Sequence, residues 1–176
     1  MVLDLLFAHP RRVFAAIAAI CVAMLAFGIL YLQNVVGVQP CPMCVVQRYC
    51  FVVIALLCVC AACSGKVWAW RFWGLLTVGV ACFGAFVAAR QSWLQWYPPE
   101  FSTCGRDLYG MIASFPLQRV VPMIFQGSGD CSAVDWTFLG GTIANWAFVW
   151  FVIFGLVVLG VLLRRRPARG LGVDPL

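Results

Sequence analysis

Residues 13–32 read VFAAIAAICVAMLAFGILYL, an unbroken apolar stretch without a charged side chain. A helix of about 20 such residues crosses the roughly 30 Å hydrocarbon core of a bilayer. Arg11 and Arg12 precede the stretch, as in a signal peptide, but its apolar part is longer than a signal core and no small-x-small cleavage site follows. We therefore expect residues 13–32 to form a membrane helix that is retained in the protein.

Three further stretches share this character, at about residues 45–62, 67–89 and 142–163. Of the 176 residues in the chain, 64% are hydrophobic and 10% are charged, whereas about 25% of the residues of an ordinary soluble domain are charged. This composition excludes a disordered chain and argues against a water-soluble globule. The sequence predicts an all-α membrane protein, with a single integral membrane domain over residues 1–176 and a bundle of four transmembrane helices.

The distribution of basic residues predicts the orientation, because Lys and Arg in short loops stay on the cytoplasmic side. Arg11 and Arg12 precede the first helix, Lys66 and Arg71 lie between the second and third, and a basic tail begins at Arg164. We expect both termini to be cytoplasmic, with outward loops at about 33–44 and 90–141. The net charge of +6 then reflects topology, which argues against a nucleic-acid partner.

The second outward loop is unusually long for a connection without regular structure, and such loops are commonly functional. Within it, Val120, Val121, Ile124 and Phe125 share one helical face. This pattern predicts a short helix that lies in the membrane interface.

The ten cysteines fall into two groups. Six lie inside apolar segments, where a thiol acts as a small hydrophobe: Cys21, Cys50, Cys58, Cys60, Cys63 and Cys82. The other four are predicted to face outward, where disulfides persist: Cys41, Cys44, Cys104 and Cys131. Counting alone allows three pairings of these four. Cys41 and Cys44 form the natural local pair, which leaves Cys104 with Cys131.

A disulfide between Cys104 and Cys131 could simply brace the outer loop, and the residues alone leave that alternative open. The small ring closed by Cys41 and Cys44 removes little chain entropy, so redox exchange is the better reason for this pair. Pro40 and Pro42 predict that the second helix begins near Met43 or Cys44. Backbone N–H groups and the helix dipole at that position favour a thiolate, especially at Cys44.

Arg48 follows Cys44 by one helical turn on the same face, and an ionisable residue within a membrane helix is a functional candidate. The alternative is that its side chain only extends to the interface. The sequence has no dinucleotide-binding glycine motif, its one histidine, His9, is on the cytoplasmic side, and zinc would compete with disulfide formation. By elimination, we expect the electron acceptor to be a lipid-soluble quinone beside Cys44 and Arg48.

An ordered set of motifs resembles the DsbB family of bacterial inner-membrane disulfide-bond formation proteins. The motifs are PCPMC at 40–44 followed by Gln47 and Arg48, WLQ at 93–95, FSTC at 101–104, and SGDC at 128–131 with Trp136 and FLG at 138–140. The resemblance implies a thiol oxidase of the bacterial inner membrane that reoxidises a DsbA-like periplasmic protein. It also implies a membrane quinone as acceptor, ubiquinone or alternatively menaquinone.

The resemblance further implies a role for each cysteine. A thiolate of the reduced partner attacks Cys104, the freed Cys131 attacks Cys41, and Cys44 leaves as the thiolate that faces the quinone held by Arg48. The chain departs from the family pattern at Gln91, where a histidine often follows the arginine. Gln91 is still expected to bind the quinone, since its amide can donate a hydrogen bond to a carbonyl, but it cannot supply a proton.

Other interpretations of the same residues predict different chemistry. A quinone reductase similar to the vitamin K epoxide reductase group would share the four helices and the C-x-x-C site, although the residues around Cys104 and Cys131 match it less well. A carrier or sensor of soft metal ions would use the thiolates as ligands. A structural four-span scaffold would use the disulfides only as braces.

Overall fold

The computed structural model describes residues 10–38, 40–97, 134 and 136–163. Helix α1 covers Pro10–Ala26 and continues as a π-helix over Phe27–Gln33, followed by α2 (Pro42–Cys63) and α3 (Val67–Trp96). Strands β1 (Thr137–Phe138) and β2 (Gly141–Thr142) form an antiparallel hairpin that leads into α4 (Ile143–Leu163). These four helical spans are long and apolar enough to cross a membrane. The predicted four-helix membrane architecture is confirmed.

Each helix packs chiefly against the next one along the chain, while α1 and α4 touch at few points. The 22 residues of α2 extend about 33 Å at 1.5 Å per residue, enough to cross the hydrocarbon core. We call the end of the bundle that carries Gln33, Cys41 and Trp96 the Cys41 end. The opposite end is called the Lys66 end, and there Arg11 donates a hydrogen bond to the Ser64 carbonyl oxygen at 3.3 Å.

Aromatic rings fill the core between α2, α3 and α4. Phe51 stacks on Phe151 with ring centroids 4.3 Å apart, and Phe154 meets Phe51 edge-on at 6.4 Å. All three side chains are buried. Large apolar side chains also cover the outside of the bundle, including Val22, Leu30, Leu56, Leu75, Phe86 and Leu156. An outer surface of this kind is stable in contact with lipid rather than water.

Small residues on α3 allow the neighbouring helices to approach closely, as is common in membrane bundles. A Cβ atom at Gly84 would lie 2.6 Å from a ring atom of Phe151, and one at Gly74 would lie 3.1 Å from Leu162. At Gly79, by contrast, a Cβ atom would meet nothing within 4 Å. Of these three glycines, Gly84 therefore lies at the tightest contact between α3 and α4.

We expect Gly84→Ala to destabilise the bundle, because the Phe151 ring is held by Phe51 and cannot move aside freely. Overpacking costs about 1–3 kcal/mol, which outweighs the gain of up to about 1 kcal/mol from replacing a helical glycine with alanine. The matched variant Gly79→Ala has only the gain. Thermal unfolding of both in detergent should show a lower midpoint for the first and an equal or higher midpoint for the second. Equal shifts would contradict the packing argument.

The third helix is longer than predicted, because it ends at Trp96 rather than near residue 89. Hydropathy falls at Arg90, but the polar side chains beyond it have partners inside the bundle, so the helix continues. It stops where Tyr97 adopts φ −128° and ψ 75°, since the residue before a proline disfavours the helical conformation. Residues 90–96 therefore belong to α3 and not to the outer loop. The other predicted ends lie within three residues of those observed.

The hairpin and the π-helix were not predicted. Leu139 and Gly140 both have positive φ, 51° and 77°, which is the geometry of a two-residue hairpin turn. Thr142 then caps α4, because its hydroxyl oxygen accepts the Asn145 N–H at 3.4 Å. The predicted interfacial helix, which involves Val120, Val121, Ile124 and Phe125, lies outside the described residues.

The six cysteines of the apolar segments divide between core and surface. Cys21, Cys50 and Cys58 are buried, whereas Cys60, Cys63 and Cys82 are exposed on the helix surfaces.

Candidate active site

The start of α2 brings Cys41 and Cys44 together. Cys41 has an extended backbone (φ −68°, ψ 162°) and occupies the N-cap position, with Pro42 as the first helical residue, where the missing N–H costs nothing. The Cys41 Sγ accepts the Cys44 N–H at 3.3 Å, and the two sulfur atoms lie 2.7 Å apart. The sequence pointed to Cys44 as the sulfur nearest the free amides. In the structure Cys41 makes that hydrogen bond, and both sulfurs lie at the positive end of the helix.

Two hydrogen-bonded glutamines lie beside this pair of sulfurs, and one of them contacts the sulfurs directly. Gln91 Nε2 donates to Cys44 Sγ at 3.1 Å and to Cys41 Sγ at 3.3 Å. Gln91 Oε1 accepts a hydrogen bond from Gln47 Nε2 at 2.7 Å. Both glutamines are only 3% exposed, so the hydrogen bonds lie in a medium of low dielectric constant, where each one is stronger than in water.

Arg48 is held by the π-helical end of the first span. Its Nη1 donates to Gln33 Oε1 at 2.8 Å, and its Nη2 donates to the Gly28 carbonyl oxygen at 3.3 Å. π-helical segments are rare and are frequent at functional sites. The described part of the chain contains no aspartate or glutamate, so among these residues only neutral oxygens are paired with the half-buried guanidinium. The side chain is fixed while its positive charge remains available to an anion.

A cavity of about 900 Å³ lies beside these groups at the Cys41 end. Its volume falls within the range of about 300–1,000 Å³ that is usual for small-molecule sites. Most of the lining is apolar, and the polar side chains in it include those of Cys41, Cys44, Gln47, Arg48, Gln91, Gln95 and Thr142. The cavity lies where α1 and α4 leave a space between them.

Aromatic residues of the hairpin and adjoining helices line one side of this cavity. Trp136 stacks on Phe138 with centroids 6.0 Å apart and meets Phe27 edge-on at 6.2 Å. Trp146 Nε1 donates to the Phe138 carbonyl oxygen at 2.9 Å, which fixes the hairpin against α4. The Thr142 hydroxyl donates to Gln95 Oε1 at 2.7 Å and so ties the end of α3 to the start of α4.

The chain matches a known protein family over most of its length. Residues 10–161 match the family model described as Disulfide bond formation protein DsbB. The chain belongs to the DsbB family. Its relatives named Disulfide bond formation protein B include one from Paracidovorax citrulli (strain AAC00-1), 61% identical over 97% of each chain. Another from Azoarcus sp. (strain BH72) is 48% identical, covering 90% of this chain and 95% of the relative. No solved structure matches the chain.

In this DsbB-family chain, the structure brings together four of the six residues predicted for the site. Cys41, Cys44, Arg48 and Gln91 all line the cavity. The structure places the Gln91 amide on the sulfurs as well as at the cavity. Cys104 and Cys131 lie outside the described residues.

The sequence interpretation quoted Gln47 within a motif but gave it no role, and it did not single out Gln33, although both hold the DsbB-family site together. Gln47 bonds to Gln91, and Gln33 bonds to Arg48. Gln47 offered a signal, because a polar side chain inside a membrane helix is costly and usually functional. Gln33 offered little signal, since it ends an apolar span at the expected position of the interface.

Proposed function

We propose that this protein is a membrane thiol oxidase, which reoxidises a DsbA-like periplasmic dithiol protein and passes two electrons to a membrane quinone. The observation that carries the proposal is the assembly of two neighbouring sulfurs, a guanidinium without an acidic partner among the described residues, and an apolar cavity at one end of the bundle. Membership of the DsbB family supports the same chemistry.

The residues present fit a quinone. The cavity is large and mainly apolar, as a hydrophobic ring system requires. Arg48 carries hydrogen-bond donors that suit a carbonyl oxygen, and Gln91 lines the same cavity with its NH₂ group on the two sulfurs. When bound, the quinone supplies an acceptor for two electrons and two protons. Ubiquinone is the expected acceptor and menaquinone the alternative, and both are lipid-soluble ring systems that suit the mainly apolar lining.

The protein's own residues carry the thiol chemistry through ordinary disulfide exchange. A thiolate of the partner attacks Cys104, the Cys104–Cys131 bond breaks, and a mixed disulfide forms. Cys131 then attacks Cys41, which breaks the Cys41–Cys44 bond and leaves Cys44 as a thiolate. The second thiol of the partner attacks the mixed disulfide, which forms the partner's new disulfide and releases Cys104 as a thiolate. Cys104 then attacks Cys131, which restores the Cys104–Cys131 disulfide and frees Cys41. Cys41 and Cys44 are now the reduced pair, and its reoxidation to the disulfide would give up two electrons and two protons.

Arg48 and Gln91 act on the negative charge that this exchange delivers. Arg48 follows Cys44 by one turn of α2 and presents a fixed cation to the cavity, while Gln91 donates to both sulfurs. Charge-assisted hydrogen bonds are about twice as strong as neutral ones. The arrangement therefore stabilises a thiolate at Cys44 or negative charge on an acceptor beside it.

The proposed location is the bacterial inner membrane, with both termini cytoplasmic and the Cys41 end on the periplasmic side. The Lys66 end of the bundle carries four basic residues, Arg11, Arg12, Lys66 and Arg71. This placement agrees with the bias of basic residues toward the cytoplasmic side. In this orientation the redox cysteines face the compartment where disulfides persist. A labelling reagent that cannot cross the membrane tests the orientation through the exposed Cys63, which should react only from the cytoplasmic side.

The function is tested by mixing the purified protein with a reduced DsbA-like protein and ubiquinone while quinone absorbance is followed. We expect catalytic loss of the quinone absorbance and one disulfide formed in the partner for each quinone reduced. Protein isolated without reductant should also have Cys41 paired with Cys44, whereas a metal carrier requires these thiols reduced. Absence of quinone reduction, together with reduced cysteines, would refute the proposal.

A further inference from the structure

The disulfide exchange described above gives no role to one buried polar residue of the site, Gln47. Gln47 lies on α2, between Cys44 and Arg48 in the sequence, and is 3% exposed. Its Nε2 donates a hydrogen bond to Gln91 Oε1 at 2.7 Å. This contact joins α2 to α3. It leaves the Gln91 Nε2 facing the two sulfurs at 3.1 and 3.3 Å.

The orientation of the Gln91 amide decides its effect on the sulfurs. An amide has an NH₂ end that donates and an oxygen end that only accepts. A thiolate accepts hydrogen bonds and has no proton to donate, so the NH₂ end stabilises it and the oxygen end repels it. Because Gln47 donates to Oε1, rotating the amide by half a turn would bring two NH₂ groups together and lose both sulfur contacts.

We propose that Gln47 is a positioning residue: it locks the Gln91 amide with its NH₂ group on Cys41 and Cys44, and this stabilises the reduced pair and makes the Cys41–Cys44 disulfide easier to reduce. The inference rests on the proposed role of these cysteines as a redox pair. It assigns a task to Gln47 and adds to the expected role of Gln91 at the quinone.

The redox step that the amide influences is reduction of this one disulfide. A dithiol reductant attacks the Cys41–Cys44 bond and becomes a cyclic disulfide, losing two electrons and two protons. The Cys41–Cys44 pair gains the two electrons. One proton goes to Cys41, Cys44 stays as a thiolate beside the Gln91 NH₂ group, and the second proton passes to solvent.

The test uses the full-length protein with Cys104→Ser and Cys131→Ser, so that Cys41 and Cys44 are the remaining outward pair. The protein is equilibrated with thiol-disulfide buffers of graded potential, quenched with acid and alkylated. Mass spectrometry of the peptide that contains Cys41 and Cys44 then gives the fraction of the pair that is reduced. The variants are Gln91→Leu, Gln47→Leu and the double substitution. Ser92→Ala is the matched control, because Ser92 is buried on α3 beside Gln91 and its hydroxyl donates to the Ala88 carbonyl oxygen of the same helix.

We expect Gln91→Leu and Gln47→Leu each to lower the equilibrium constant for reduction about tenfold, the smaller end of the effect of a hydrogen bond to a charged group. For a two-electron couple this corresponds to a potential about 30 mV more negative. The double variant should match Gln91→Leu alone, because Gln47 acts only through Gln91. Gln47→Glu should give a shift in the same direction, since a carboxylate attracts the Gln91 NH₂ group away from the sulfurs. Ser92→Ala should stay within about twofold.

An unchanged potential in Gln47→Leu, or a double variant whose shift is the sum of the single shifts, would overturn the proposal. If Gln47→Leu does not fold, Gln47→Met removes the same hydrogen bond with an unbranched side chain and is judged by the same criteria. The measurement uses neither quinone nor the partner protein. Failure of quinone reduction with these shifts intact would refute the proposed function alone.

Discussion

Cys44→Ser is expected to lower the rate of quinone reduction by a reduced DsbA-like protein at least about a thousandfold, the scale on which loss of a covalent catalytic group acts. A serine hydroxyl cannot form the disulfide with Cys41 and cannot leave as a stabilised thiolate. The electron path then ends at Cys41. Initial rates at saturating partner and quinone measure the effect.

The matched control for this substitution is Cys82→Ser, which makes the same chemical change at an exposed position of α3. It should keep the rate within about twofold, as is usual for surface substitutions away from functional features. A Cys44→Ser protein that turned over within tenfold of the native chain would show that this sulfur is outside the electron path. A similar loss in Cys82→Ser would show that the assay reports folding instead.

Arg48→Met is expected to raise the apparent KM for quinone by about 10- to 100-fold, the value of one hydrogen bond from a charged group. Methionine keeps much of the volume of the side chain but removes the positive charge and the bonds to Gln33 and Gly28. The rate of the mixed-disulfide step with the partner should change less than about threefold, because that step takes place at Cys104, in a different segment of the chain from Arg48. Steady-state KM and rapid-quench analysis of the mixed disulfide measure the two effects separately.

Arg71→Met serves as the control for Arg48→Met, because Arg71 is an exposed arginine at the Lys66 end, 5.7 Å from the Trp70 ring centroid. It should leave the quinone KM unchanged. Arg48→Lys should lie between the native chain and Arg48→Met, since lysine keeps the charge but not the planar fork that reaches two oxygens. An unaltered quinone KM in Arg48→Met would contradict the assigned role.

The sequence predicted those features that depend on local composition. Apolar stretches located the four spans, because each span must form its backbone hydrogen bonds within itself while its apolar side chains face the lipid. Pro40 and Pro42 located the start of α2 because proline limits the helix at that residue. Cys41, Cys44 and Arg48 could be grouped from spacing alone, since residues separated by one turn share a face of the same helix.

Features that depend on contacts between distant segments were not predicted. The end of α3 was placed too early because Gln91 and Gln95 are polar, and their partners Gln47 and Thr142 lie on other elements. The π-helix before Gln33 was also missed. Its carbonyl at Gly28 and the Gln33 side chain receive Arg48 from α2, and no pattern within residues 27–33 encodes that contact.

The electron transfer itself can be measured in a single turnover. The full-length protein with Cys104→Ser and Cys131→Ser is reduced at Cys41 and Cys44, freed of reductant and mixed anaerobically with ubiquinone. The account predicts that one quinone is reduced for each protein molecule and that the Cys41–Cys44 disulfide forms at the same rate. A quinone that stays oxidised beside a fully reduced Cys41–Cys44 pair would contradict it.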